Sequence, residues 1–190
     1  MLNRLRKKVE TVFVVLATYT SRLGFTPNSL TILSLLVALI GFSLSYLFKS
    51  GLYLSLCIII SGLLDSLDGA VARLQSKETK RGAFLDSFID RVSEAVIIVS
   101  FMSLDFNVYS VVALLALSNL VSYSRARGES LGIKLAGVGL MERAERLIFL
   151  AFIAMLADTK LVVAQILYLI TAILTAITIV QRFMYVWRAL

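Results

Sequence analysis

Residues 61–90 decide the architecture, and they read SGLLDSLDGAVARLQSKETKRGAFLDSFID. Two apolar segments flank a short polar stretch, which is typical of a tight turn between antiparallel helices. Asp65 and Asp68 are three residues apart and Asp86 and Asp90 are four apart, so each pair shares one helix face. In an antiparallel hairpin the two pairs face each other at two levels, about 5 Å apart along the axis. The stretch therefore predicts four converging carboxylates near the ends of two apolar helices.

The overall composition indicates a membrane protein. The chain has 190 residues, of which 59% are hydrophobic and 16% are charged, and its mean hydropathy is +0.90. Roughly half of the residues of a soluble domain are apolar, so this chain is too apolar for a soluble fold of its size. We expect one all-α membrane domain over residues 1–190, with a bundle of six transmembrane helices over residues 28–184. The apolar runs place the helices near residues 28–48, 52–74, 83–103, 107–127, 143–158 and 161–184.

The basic residues predict the orientation in the bilayer. The chain has 19 Lys and Arg against 12 Asp and Glu, for a net charge of +7. Only Lys49 and Lys160 fall in the short loops on the side opposite the N-terminus. By the positive-inside rule, both termini and the aspartates face the cytoplasm across a cell membrane. We assign the excess positive charge to the lipid bilayer and expect no nucleic-acid partner.

The N-terminus carries an amphipathic pattern. Its apolar residues recur at helical spacing, and they are Leu2, Leu5, Val9, Val12, Phe13 and Leu16. We expect residues 1–22 to form a helix in the cytoplasmic interface, with its basic residues toward anionic headgroups. A basic tail without a fixed structure is the alternative.

The only proline marks the start of the first span. Thr26 followed by Pro27 is a strong helix-start signal, with Thr as the capping residue. Asn28 and Thr31 then lie three apart on one face of the opening turn. Polar groups beside the free N–H groups of a helix start suit an anion such as phosphate.

The absence of histidine limits the chemistry. Triads, proton shuttles and metal sites that depend on histidine are excluded, because the chain has no His. The single cysteine, Cys57, lies in an apolar run, so it forms no intrachain disulfide and nothing marks it as a nucleophile. Catalysis, if present, must come from carboxylates, Lys or Arg, hydroxyls or a bound ion.

Four neighbouring carboxylates need compensating charge, because they cannot all stay ionised alone. Two hard divalent cations would balance them, and an all-oxygen ligand set suits Mg²⁺, Mn²⁺ or Ca²⁺. Paired metal ions about 4 Å apart recur in phosphoryl transfer. Nearby, Gly69 and Ala72 leave space, Arg73 can reach a phosphate, and Gly82 permits close approach of the backbone.

The same residues resemble the signature of the CDP-alcohol phosphotransferase family, D-x2-D-G-x2-A-R-x8-G-x3-D-x3-D. All eight fixed positions match at the right spacing, namely Asp65, Asp68, Gly69, Ala72, Arg73, Gly82, Asp86 and Asp90. The amphipathic N-terminus, the six spans and the start of the first span also resemble this family. Its members displace CMP from a CDP-linked lipid or alcohol to form a lipid phosphodiester.

The resemblance implies roles for individual residues. Asp65, Asp68 and Asp86 would ligate one divalent cation, and Asp65, Asp86 and Asp90 a second, with Mg²⁺ or Mn²⁺ as the expected ions. Asp90 would also be the general base. The CDP-lipid donor would contact Asn28, Ser29, Leu30, Thr31, Gly69, Arg73 and Thr79. The resemblance also implies a homodimer.

Basic residues further along predict a phosphorylated acceptor. The candidates for its phosphate are Arg125, Lys134, Arg143 and Arg146. Ordinary positive-inside flanking, with Glu142 paired to Arg146, is the alternative explanation. The run GLMERAERLI over residues 139–148 resembles members that use inositol phosphate, in both phosphatidyl and archaetidyl versions. We therefore expect transfer onto inositol phosphate, with glycerol-3-phosphate or serine as competing acceptors.

The sequence is also compatible with two other classes of function. Carboxylates within a membrane also line ion paths, so a divalent-cation transporter is possible, although the aspartates cluster at one membrane edge. A structural scaffold would tolerate Asp→Asn changes at all four positions. Arg91 and Glu94 are expected to form an ion pair without a chemical role.

Overall fold

The structure, a computed structural model, describes residues 13–190, and this part of the chain is helical without strands. The first helix, α1, is described over residues 13–22. The others are α2 (Pro27–Phe48), α3 (Gly51–Leu74), α4 (Lys80–Ser100), α5 (Val108–Ser130), α6 (Arg143–Ala157) and α7 (Leu161–Ala189), with a short 3-10 helix at Phe101–Leu104 between α4 and α5. The predicted all-α class is confirmed.

Four helices, α2, α3, α5 and α7, are long and apolar enough to cross a membrane. The chain is therefore a multi-pass membrane protein. Of the two other predicted spans, α4 carries charged residues along its first half, and α6 has only 15 residues. The helix boundaries agree closely with the predicted ones, because apolar length and turn residues are local signals.

The predicted start of α2 is confirmed. Thr26 is the capping residue, and its side chain accepts a hydrogen bond from the backbone N–H of Ser29, 3.2 Å away. The Ser29 hydroxyl in turn accepts from the Thr26 N–H at 2.9 Å. Pro27 follows at the first helical position, where it has no N–H to leave unpaired. This reciprocal cap fixes where the first span begins.

The predicted interfacial helix is only partly described. Leu2, Leu5, Val9 and Val12 lie outside the described residues, whereas Phe13 and Leu16 lie in α1. Ala17 of α1 is fully buried and packs with Leu30 and Val71. The end of α1 is thus attached to α2 and α3, beside the start of the first span.

Small residues allow close helix packing. Gly41 of α2 faces Cys57 of α3, where a Cβ on Gly41 would come within 2.6 Å of the Cys57 Cβ. Cys57 itself is buried and free, as expected. Such close backbone approach is a common basis of helix association in membranes, where lipid is as apolar as the side chains. In the bundle, α2 packs on α3 and α4, α6 on α3, and α7 on α5 and α6.

Asp158, just after α6, connects α6 to the start of α3 at the end of the bundle opposite the aspartates. Its carboxylate accepts hydrogen bonds from the Gly51 N–H at 2.5 Å, the Leu52 N–H at 3.0 Å and the Ser50 hydroxyl at 2.8 Å. The N-terminus of α3 is therefore capped by the residue that directly follows α6. Burial acts to raise the pKa of Asp158, but these hydrogen bonds outweigh it and hold the pKa below the ordinary value of 3.8.

We expect Asp158→Ala to lower the free energy of unfolding by about 1 kcal/mol, the usual loss when a helix cap is removed. Because the folded-state pKa lies below that of the unfolded chain, the carboxylate stabilises the fold fully above about pH 5. The difference between wild type and variant should shrink as the pH falls through 3.8. Thermal unfolding in detergent between pH 3 and pH 7 measures it. Thr159→Ala, one residue further on, is the matched control, and an equal loss there would contradict the assignment.

Candidate active site

The α3–α4 hairpin brings the aspartates together as the spacing predicts. α3 ends at Leu74 and α4 begins at Lys80, so the connecting turn is short. Thr79 caps α4 by accepting a hydrogen bond from the Gly82 N–H at 3.0 Å. One carboxylate oxygen from each of Asp65, Asp68 and Asp86 lies within 4.8 Å of the other two. This spacing lets three side chains share a single ion.

These carboxylates fit a divalent cation. Asp65 Oδ1 is buried, and among residues 13–190 no donor reaches it. Asp68 is 5% exposed. Hard oxygen ligands with free lone pairs are the donor set that Mg²⁺ and Mn²⁺ prefer. Asp65, Asp68 and Asp86, three of the four predicted ligands, are therefore placed so that they could hold one cation.

Asp90 lies one turn beyond Asp86 and is linked to Asp65 by an arginine. Arg143, the first residue of α6, places Nη1 2.7 Å from Asp65 Oδ2 and 2.9 Å from Asp90 Oδ1. Arg91 approaches the other oxygen of Asp90 at 3.5 Å. A residue predicted for the acceptor thus lies directly against the carboxylates, and Asp90 faces the start of α6.

The predicted donor contacts lie where α2 meets α3 and α4, away from the start of α6. The Thr31 hydroxyl is buried and donates to Asp68 Oδ2 at 2.6 Å, so Thr31 holds the carboxylate of a predicted metal ligand in place. A Cβ on Gly82 would lie 3.1 Å from Thr79 Oγ1 and 3.4 Å from Asn28 Oδ1. The start of α2 and the start of α4 therefore meet across Gly82, where a side chain would crowd them.

Gly69 and Arg73 are also adjacent. A Cβ on Gly69 would lie 3.5 Å from Arg73 Nη1. The guanidinium therefore folds back over the glycine, one turn along α3. Ser29 and Leu30 belong to the first turn of α2, where Ser29 completes the cap and Leu30 is buried.

A cavity of about 730 Å³ opens on the α5–α7 side of the aspartates. Its wall includes Asp65, Asp86 and Asp90, together with Arg125, Arg143 and Arg146. Arg125 is about half exposed and pairs with Glu129 at 2.9 Å. Lys134 is exposed in the α5–α6 loop and does not line this cavity. Three of the four predicted acceptor residues therefore share one wall.

Two ion pairs, one buried and one partly buried, border this cavity, and neither has the partners proposed from sequence. Arg146 is fully buried and pairs with Glu94 of α4 at 2.7 Å. The expected Arg91–Glu94 pair is therefore wrong, and the alternative Glu142–Arg146 pair does not form. Glu142 pairs instead with Arg182 of α7 at 2.7 Å. Arg146 reaches from α6 to α4, and α6 packs on α7; helical spacing reveals neither relation.

Arg182 and Glu142 border the cavity, although no sequence motif marks them as site residues. Arg182 is 2% exposed, lines the cavity and also donates to the carbonyl oxygens of Val138 and Val121 at 2.8 and 2.7 Å. Through these hydrogen bonds, Arg182 of α7 links the α5–α6 loop to α5. The sequence signal for Arg182 is its position just after a long apolar run. Charged residues in such helices usually face the interior of the bundle.

The cavity, the aspartates and the two ion pairs occur in a chain that matches a known family. The family model for CDP-alcohol phosphatidyltransferase matches residues 25–186. Archaetidylinositol phosphate synthase of Aeropyrum pernix is 36% identical over 97% of this chain and 95% of its own length. The enzyme of that name from Pyrococcus horikoshii is 37% identical over 96% of this chain and 94% of its own.

A solved structure supports the same relationship. Mycobacterium tuberculosis phosphatidylinositol phosphate synthase, in crystals with CDP-DAG bound, superposes with a TM-score of 0.79 at 29% identity, over 93% of this chain and 94% of that one. Crystals of the same enzyme with manganese and citrate give a TM-score of 0.80, over 92% of this chain and 88% of that one. The motif, the carboxylate geometry and these matches agree, and the chain belongs to the CDP-alcohol phosphatidyltransferase family of metal-dependent enzymes.

Proposed function

We propose that this protein transfers a phosphatidyl or archaetidyl group from a CDP-linked lipid to inositol phosphate and releases CMP. The observation that carries the proposal is the contact of Arg143 with both Asp65 and Asp90, at 2.7 and 2.9 Å. It places a cationic group, suited to an acceptor phosphate, beside the expected base. The relatives named above support inositol phosphate as the acceptor.

The reaction follows from this arrangement. An acceptor hydroxyl attacks the phosphorus that carries the lipid alcohol, its proton passes to Asp90, and the bond from that phosphorus to the bridging oxygen breaks, so CMP leaves with that oxygen. Asp65, Asp68, Asp86 and Asp90 would hold the divalent cations, which would supply stabilisation of the negative charge that develops on the oxygens of the reacting phosphate. Asp90 is thus the general base, and Thr31 keeps Asp68 in place.

The donor occupies the α2–α4 side in this proposal. Asn28 and Thr79 meet across Gly82, and the backbone N–H of Asn28, which the Thr26–Ser29 cap does not use, can donate to an anion. Arg73 beside Gly69 supplies positive charge for the diphosphate. The full set of donor contacts comprises Asn28, Ser29, Leu30, Thr31, Gly69, Arg73 and Thr79.

Six spans, an interfacial N-terminal helix and a cytoplasmic active site belong to the same proposal. The four apolar helices support it together with α4 and α6, which pack against them as neighbours. Asp158 and Gly51 meet at the end of the bundle far from the aspartates, as alternating spans require. A homodimer is proposed from the family resemblance alone.

CMP release tests the proposed activity. The purified protein is incubated with a CDP-linked lipid, Mn²⁺ or Mg²⁺, and one of inositol phosphate, glycerol-3-phosphate, serine or inositol. We expect release with inositol phosphate that depends on the metal. Release that is fastest with glycerol-3-phosphate or serine would overturn the acceptor and keep the chemistry, whereas no release with any alcohol would overturn both.

We expect Arg125→Gln to raise the KM for inositol phosphate about tenfold, because a hydrogen bond to a charged group contributes about 1.5–3 kcal/mol. The donor KM should stay within about twofold, as for a change outside the donor site. Arg127→Gln is the matched control, since Arg127 lies on the same helix and does not line the cavity. Equal effects of the two variants would remove Arg125 from the acceptor site.

A further inference from the structure

Arg143, the first residue of α6, connects two predicted metal ligands through a single nitrogen atom. Its Nη1 donates a hydrogen bond to Asp65 Oδ2 at 2.7 Å and lies 2.9 Å from Asp90 Oδ1. The Asp90 oxygen nevertheless has no aligned donor among residues 13–190. The contact with Asp90 is therefore an ion pair without a hydrogen bond, which makes it the weaker of the two contacts.

Helix stability does not explain a cation at this position. The first turn of a helix carries a partial positive charge, which disfavours an arginine at the start of α6. The carboxylates of Asp65 and Asp90 outweigh this effect, because they bring negative charge from α3 and α4. The position of Arg143 therefore depends on the charge of these two carboxylates.

The same two carboxylates are predicted ligands of the second divalent cation, together with Asp86. Arg143 and that cation would therefore draw on the same negative charge. Two positive charges in one small site repel each other, so neutralisation of Asp65 and Asp90 by a divalent cation weakens their hold on the guanidinium. The contact with Asp90, which lacks a hydrogen bond, is the first that we expect to break.

Arg143 also has a hydrogen-bond donor to spare. Its Nε–H is buried and has no acceptor among the described residues, and a buried donor without an acceptor costs free energy. The side chain lines the cavity of about 730 Å³ whose wall also includes Arg125. A guanidinium can bind a phosphate through two parallel N–H groups. Because the side chain has many rotatable bonds, it can reach a new partner while α6 stays in place.

We propose that Arg143 and the second divalent cation compete for Asp65 and Asp90, so that binding of the cation turns Arg143 toward the phosphate of the acceptor. This inference rests on the proposed function, and it makes Arg143 the residue that links the two binding events. By thermodynamic linkage, the acceptor binds more tightly when the cation is present, and the cation binds more tightly when the acceptor is present.

Chemical modification of arginine tests the movement of Arg143. The wild-type protein in detergent is treated with 2,3-butanedione, with and without saturating Mn²⁺, and mass spectrometry gives the modification rate of each arginine. A hydrogen bond to a charged group leaves its donor unpaired about a tenth of the time or less, so Mn²⁺ should raise the rate at Arg143 about tenfold. Arg127 is the internal reference, because it is exposed on α5 and does not line the cavity.

The linkage between the two ligands is measured with Arg143→Gln. Calorimetry gives the Kd of inositol phosphate with and without Mn²⁺. We expect Mn²⁺ to lower this Kd about tenfold in the wild type, and less than about threefold in Arg143→Gln. Arg125→Gln is the matched control, because it removes an arginine from the same cavity that pairs with Glu129 and not with a predicted metal ligand. It should weaken binding of inositol phosphate and keep the effect of Mn²⁺.

The outcomes separate the inference from the proposed function. An unchanged or lower modification rate of Arg143 with Mn²⁺ would overturn the inference, and so would an equal effect of Mn²⁺ in the wild type and in Arg143→Gln. Failure of the wild type to bind Mn²⁺ or inositol phosphate would instead overturn the proposed function. If thermal unfolding shows that Arg143→Gln does not fold, the modification rates decide, because they are measured on the wild type.

Discussion

Asp90→Asn should abolish transfer while the protein still binds CDP in the presence of Mn²⁺. The substitution keeps the shape of the side chain but removes the carboxylate that accepts the proton from the acceptor. A positioned general base contributes about 10²–10⁴-fold to a rate, so the rate of CMP release should fall by that factor. Nucleotide binding should persist because Asp65, Asp68 and Asp86 keep their common site within 4.8 Å.

Two measurements separate these effects. CMP release gives kcat, and calorimetric titration with CDP and Mn²⁺ gives the affinity. Arg91→Gln is a useful comparison, because Arg91 touches the same carboxylate at 3.5 Å without being the proton acceptor. Turnover of Asp90→Asn at the wild-type rate would exclude Asp90 as the base.

Asp68→Asn should eliminate the metal-dependent binding of CDP, and with it the activity. Asp68 is the most enclosed member of the carboxylate cluster, at 5% exposed, and its replacement leaves two carboxylates for the ion. Substitution of a residue that hydrogen-bonds to a metal ligand typically lowers the metal affinity about 10–100-fold. Loss of a ligand itself should therefore lower the metal affinity at least about 100-fold. The variant should still fold, because an amide can accept the hydrogen bond from Thr31.

Manganese titration of the two proteins measures this difference directly. Asp105→Asn is the matched control, since Asp105 is exposed, lies after the 3-10 helix and has a left-handed φ of 59° that Asn tolerates. Wild-type manganese affinity in Asp68→Asn would remove Asp68 from the ligand set. A scaffold protein would show no loss of metal binding with either substitution.

Helix boundaries and the aspartate cluster were accessible from the sequence because both depend on short-range spacing. Thr26 and Pro27 start α2 where the capping signal predicts. The intervals between Asp65, Asp68 and Asp86 bring their oxygens together once the chain turns back at Thr79. Helical periodicity and turn length are sufficient for such contacts, since they join neighbouring segments.

By itself, therefore, the sequence determined an all-α membrane protein, its family and the hairpin that carries the carboxylates. Only the tertiary structure decided that Arg143 bridges Asp65 and Asp90, that Arg146 pairs with Glu94, and that Arg182 pairs with Glu142. These contacts join helices distant in sequence, and periodicity gives the face of each helix but not its neighbour around the bundle. The packing of the bundle determines which helices are neighbours, and a buried charge is stable only when it has a partner.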